Sequence, residues 1–84
     1  MAFVYILQSD KNGSYYIGST VDVIRRMQRH DQGQVFSTKR YGPWKLVLQQ
    51  EFQSVGLARK MELKLKKLKR KDYIEKVVKG GVIF

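Results

Sequence analysis

The chain predicts an α/β (α+β) domain, and three features carry that reading. Residues 2–8 and 15–17 are β-rich runs on either side of an Asn12-Gly13 turn. Residues 45–52 form a third run, beyond a polar, turn-rich segment. Stretches 20–32 and 54–68 carry apolar side chains at helical spacing. With 84 residues the chain holds one domain and one modest core. We place that domain at 1–80 and treat 81–84 as a C-terminal tail.

The run 2–8 has apolar or aromatic side chains at odd and even positions, the pattern of a central strand covered on both faces. Asn12 and Gly13 tolerate positive φ, so the chain turns there and Tyr15-Tyr16-Ile17 returns antiparallel. Ser19 and Asp22 have the spacing of a capping box, and Gly33 suits a terminator; a helix over 20–32 is expected. Ser37 to Trp44 reads as a loop docked by Trp44. The third strand is expected to put Leu46 and Leu48 on one face. Ser54 caps the next helix, where Leu57, Met61, Leu65 and Leu68 form a core-facing stripe. A short helix over 72–78 packs through Tyr73, Ile74 and Val77, and Gly80-Gly81 ends it.

Composition narrows the function. The formal charge is +10, from 17 Lys and Arg against 7 Asp and Glu. Most of the excess lies in the last third, where Arg59, Lys60, Lys64, Lys66, Lys67, Lys69, Arg70 and Lys71 crowd together. Such a surface attracts polyanions, nucleic acid first among them, with a steep salt dependence. The chain has no cysteine, which excludes disulfides and thiolate metal sites and points to the cytoplasm. No apolar run approaches a membrane span, and the N-terminus lacks the basic lead of a signal peptide.

Phe3-Val4-Tyr5 and Tyr16-Ile17-Gly18, followed by Arg26 and much later by Glu62, resemble the GIY-YIG nuclease family. That family includes the nuclease domain of the incision subunit of bacterial excinuclease. The chain carries the Val-Tyr of the first signature and the whole of the second; Phe3 stands where the first signature has its glycine. Arg26 matches the family's catalytic arginine, Arg29-His30-Asp31 its histidine-containing helix end, and Glu62 its single metal-binding glutamate. The resemblance implies a three-stranded antiparallel sheet flanked by helices and an Mg²⁺- or Mn²⁺-dependent endonuclease acting on DNA, or on RNA, with DNA repair as its setting.

The implied roles have a chemical basis. Glu62 would hold a hard cation, which needs only one or two carboxylates when waters and a phosphate complete its shell. Its alternative is a partner for Lys66 at i+4. Arg26 would clamp the phosphate through a guanidinium that never loses its charge; its alternative is a pair with Asp22. Tyr5 is read as general base or water-orienting group, with Arg26 and a metal lowering its pKa from about 10. Tyr16 is its hydrogen-bonding neighbour. His30 would relay a proton or hold a phosphate. Gly18 is expected to permit close approach of a phosphate or of the packed helix. Arg25, Arg29, Lys39, Arg40, Lys64, Lys67 and Lys71 are the expected phosphate contacts, and Tyr41 and Trp44 could stack on an unpaired base. The competing reading is a non-catalytic nucleic-acid-binding module of the same fold.

Overall fold

The computed structural model describes residues 1–31, 42–68 and 70–81. The elements run β1 (Ala2–Ser9), β2 (Tyr15–Thr20), α1 (Val23–Asp31), β3 (Trp44–Phe52), α2 (Val55–Leu68) and α3 (Lys71–Gly80). The strands form one antiparallel sheet in the order β2-β1-β3. The central place of β1 explains its two-sided apolar pattern. Val4 and Ile6 face one layer and Tyr5 and Leu7 the other, and none of the four reaches solvent.

The layers differ. On one face Val4, Ile6, Ile17 and Leu48 meet Ala58 and Leu65 of α2 and Ile74 and Val77 of α3. On the other, Tyr5, Leu7 and Trp44 gather Tyr16, Leu46 and Met27 of α1. Each fully buried aliphatic side chain of this kind contributes about 1.5–3 kcal/mol.

The hairpin closes as its residues dictate. Gly13 has φ +75°, its N–H donates to the Ser9 carbonyl at 2.9 Å, and the Asn12 side-chain oxygen accepts from Ser14. Ser54 caps α2 through the Leu57 N–H at 3.1 Å. Gly81, at φ +72°, ends α3 with its N–H shared between the Val77 and Val78 carbonyls.

Three expectations need correcting. Ser19 does not cap α1: Ser19 and Thr20 pair with Val4 and Phe3 in the sheet, which keeps them extended. Asp22 caps instead, accepting the Arg25 N–H at 3.0 Å, and α1 begins at Val23. Leu46 and Leu48 do not share a face. Ile6 pairs with Leu48 and Leu7 with Leu46, so Val47 is an extra residue in a bulge that sends Leu46 to the α1 side and Leu48 to the α2 side. Leu57 is exposed, because α2 turns Ala58, Glu62 and Leu65 inward; alanine at 58 lets the helix axis come close to the sheet. Gly33, the expected end of α1, and the loop residues 37–41 lie outside the described residues, as does the Leu68 side chain.

Candidate active site

The proposed chemistry-bearing residues meet around β2, at the edge of the sheet. Register builds the first half. Tyr5 pairs across the ladder with Gly18, and its ring lies over that glycine. A Cβ on Gly18 would stand 2.5 Å from the Tyr5 hydroxyl and 2.6 Å from Cζ. The close approach expected at Gly18 is therefore made by a tyrosine, not by a phosphate or a helix.

Helix α1 completes this half. The Tyr5 hydroxyl is 3.2 Å from Nε2 of His30, whose side chain is buried near the end of α1. The Tyr16 ring stands edge-on to His30 at 5.0 Å, with the Tyr5 and Trp44 rings each 6.3 Å away. The hydrogen-bond neighbours of Tyr5 are thus His30 and Arg26, and Tyr16 supplies a ring contact. Arg26, one turn before His30, is half-buried with its guanidinium beside the Tyr5 hydroxyl. It makes no ion pair with Asp22 among the described residues.

Burial dominates the electrostatics of Tyr5. Its pKa is pushed up to about 12, first by burial and then by Tyr16, while the charge and hydrogen bond of Arg26 pull it down. The expected lowering by Arg26 exists but loses to desolvation.

The second half lies on the α2 face. Alternation along β2 puts Ser19 on the same side as Ile17, and its hydroxyl donates to Glu62 Oε1 at 2.5 Å. Lys66 donates to Oε2 at 2.7 Å. Glu62 is 7 % exposed, deeper than its place at the edge of a helical stripe suggested. Burial works to raise its pKa; hydrogen bonds from Lys66 and Ser19 and the charges of Lys66 and Arg59 outweigh that, and the net shift is downward. The carboxylate is held ionised in a sheltered position. The Lys66 partner at i+4 is present, and the carboxylate it holds is an anchored anion inside the fold.

Lys66 joins the halves, because its ammonium also lies 5.9 Å from the centroid of the Tyr16 ring. Ser19 and Lys66 are the residues that sequence reasoning undervalued, Ser19 as a cap and Lys66 as a surface cation. Strand alternation from Ile17 was the signal for Ser19.

The expected phosphate contacts divide. Arg25 and Arg29 are exposed and line, with Arg26, a surface concavity of about 520 Å³. Lys64 and Lys67 are exposed on the outer side of α2, turned away from Glu62 by the helical repeat. Lys71 borders a separate groove with Lys66 and Arg70. Lys39, Arg40 and Tyr41 lie outside the described residues.

Glu62 passes the test for a hard-cation ligand. Its carboxylate is ionised and fixed, and each oxygen, having accepted one bond, keeps a lone pair. No group of three or more His, Cys, Asp or Glu occurs among the described residues. A cation here would therefore draw on one carboxylate, waters and substrate oxygens, the arrangement Mg²⁺ favours.

A family model described as the GIY-YIG catalytic domain matches residues 1–76. A UPF0213 protein of Halalkalibacterium halodurans is 40 % identical over 81 residues, covering 94 % of this chain and 85 % of its own. The structure-specific endonuclease subunit SLX1 of Scheffersomyces stipitis is 46 % identical over 52 residues, 54 % of this chain and 16 % of that longer protein. The solution NMR structure of a UPF0213 protein from Bacillus halodurans superposes with a TM-score of 0.59 at 36 % identity, covering 96 % of this chain and 87 % of that one.

Proposed function

The chain belongs to the GIY-YIG catalytic domain family, and on that premise we propose that it is a divalent-metal-dependent endonuclease hydrolysing DNA phosphodiester bonds. One observation carries the reading. Lys66 pairs with the buried, ionised Glu62 at 2.7 Å and lies 5.9 Å from the centroid of the Tyr16 ring, so carboxylate, tyrosines, histidine and arginine gather around one edge of the sheet.

The residues divide the work by exposure. Arg26 holds two oxygens of the scissile phosphate and offsets the charge that grows there during attack. Tyr16, half-exposed, orients the attacking water. Tyr5 is the poorer base, because it is buried and keeps its proton up to about pH 12. Its role is to position His30 and Arg26, reversing the roles the sequence suggested for the two tyrosines. His30, buried and hydrogen-bonded to Tyr5, fixes the orientation of the Tyr5 hydroxyl and of the Tyr16 ring that packs edge-on against it. Glu62 holds Mg²⁺ or Mn²⁺, which when bound supplies charge stabilisation and a more acidic water. Arg25, Arg29 and the exposed lysines bind the backbone without reading bases.

The named SLX1 relatives are structure-specific endonuclease subunits, which favours a substrate chosen by its structure; the resemblance to the excinuclease subunit favours a setting in DNA repair. The cysteine-free composition supports the cytoplasm as its location. The ion pair already made by Glu62 with Lys66 supports a second reading, a binding module that does not cut.

Cleavage of plasmid, single-stranded and branched DNA with and without Mg²⁺ or Mn²⁺ separates the two. At saturating DNA under single turnover, Glu62→Gln should stop metal-dependent cleavage while DNA affinity stays within about twofold, because the change removes the anionic ligand and conserves shape. Arg26→Ala should also stop it, with some loss of affinity. Glu62→Gln cleaving at the wild-type rate would overturn the metal assignment.

A further inference from the structure

Beside the proposed catalytic edge, β2, α2 and α3 enclose a groove of about 490 Å³. Its floor is apolar: the half-buried Tyr15 ring faces it, with Ile17 and Ile74 nearly buried and Leu65 fully buried behind. The cations Lys66, Arg70 and Lys71 line it as well. We infer that this groove is a subsite for one unstacked nucleobase of the bound strand, with the flanking phosphates on those three cations. The inference rests on the nuclease reading of the adjacent carboxylate and adds to it a place for the base.

Three features favour a nucleotide as the occupant. The floor pairs apolar side chains with the Tyr15 ring, which suits the flat, poorly hydrated face of a base, while the cations suit the phosphates on either side of it. Lys66 borders the groove and lies 2.7 Å from Glu62 Oε2, so a base seated here leaves its own phosphate next to the candidate metal carboxylate. Arg70 and Lys71 are exposed, with Arg70 engaged only at 3.6 Å by the equally exposed Asp72, so both are open to a phosphate at little cost. The arginine-lined concavity on α1 is more polar: it is bordered by Thr20, Asp22, Gln28 and the arginines, with Val21 as its apolar side chain. The two surfaces accordingly divide the strand, with backbone on α1 and one base between β2 and α3.

A base in this groove has left its stack, so a single strand or a splayed junction reaches the site at less cost than an intact duplex, which must first flip a base out.

The test uses the 84-residue wild-type chain, ¹⁵N-labelled, in EDTA so that nothing is cut. Two probes carry equal charge: an octamer of thymidylate, and an octamer of abasic sugar phosphates. The thymidylate octamer should move the amide signals of Tyr15, Ile17, Leu65 and Ile74. The abasic octamer should leave them in place and bind roughly tenfold more weakly, the loss expected when one stacked base is removed. The variant Arg70→Glu/Lys71→Glu, at exposed positions, should keep the folded spectrum and weaken the thymidylate octamer. Arg25→Glu should leave the groove signals responsive. Equal shifts and equal affinity for the two octamers would overturn the subsite and reduce the groove to a phosphate contact. An octamer of glutamate moving the same signals as thymidylate would overturn it in favour of an acidic protein partner. Because no cleavage is measured, failure here is distinct from failure of the metal assignment, which Glu62→Gln decides.

Discussion

Gly18→Ala tests whether the packing of Tyr5 against β2 is what fixes the aromatic half of the site. The added methyl would stand 2.6 Å from Tyr5 Cζ and 2.5 Å from its hydroxyl, and a ring does not yield like the end of a flexible chain. Tyr5 has no free space, because it is fully buried beside Tyr16 and His30. Overpacking of this sort costs about 1–3 kcal/mol, and displacing the Tyr5–His30 hydrogen bond about 0.5–1.5 kcal/mol more. Against this, replacing glycine stiffens the unfolded chain and returns about 0.4–1 kcal/mol. The steric contribution wins, leaving a net loss of about 0.5–4 kcal/mol, centred on about 2 kcal/mol. In a domain of this size the central value lowers Tm by roughly 8–16 °C. Urea and thermal unfolding followed by circular dichroism measure it. The decisive comparison is the same substitution in a Tyr5→Leu background, where the shorter side chain withdraws from Gly18 and the cost should fall to within about 0.5 kcal/mol of zero. An equal cost in both backgrounds, or no cost in either, would refute the assignment of Gly18 to Tyr5.

Further expectations follow from the electrostatics and the surface. Glu62 has a lowered pKa in the folded state, so its stabilising contribution is present above its ordinary value of 4.5 and is lost as pH falls through the folded value. The stability gap between wild type and Glu62→Gln should therefore be widest near neutral pH and close in acid, as urea unfolding at a series of pH values would measure; a constant gap contradicts the ion pair. Tyr5 behaves oppositely, because the folded state holds its proton more tightly than the unfolded state. Its contribution is intact below pH 10 and is lost between pH 10 and about 12. Phenolate absorbance should show a late-ionising fraction, and Tyr5→Phe should remove its latest step while leaving that of Tyr15, whose pKa burial and the Glu75 charge also raise. Changing Arg25 and Arg29 together to Ala should weaken binding to unrelated DNA sequences alike and lower the slope of log affinity against log salt by about two, one for each lost phosphate contact. An unchanged slope would assign those arginines to solubility.

Local chemistry made much of this molecule legible from its sequence. Asn12-Gly13 set the hairpin, Ser54 the start of α2 and Gly81 the end of α3, because each acts through residues within a few positions. The two-sided apolar run of β1 announced a central strand, and the family resemblance singled out Tyr5, Tyr16, Arg26, His30 and Glu62. Tertiary structure decided what those residues experience. A bulge at Val47 sends Leu46 and Leu48 to opposite faces, and pairing with β1 keeps Ser19 extended, out of a cap and against Glu62. Ser19 and Glu62 are 43 positions apart, and Tyr5 and His30 are 25 apart. Periodicity reports which side of its own element a residue occupies. Burial, register and partner come from elements brought together by folding, and they raise the Tyr5 pKa while holding Glu62 ionised.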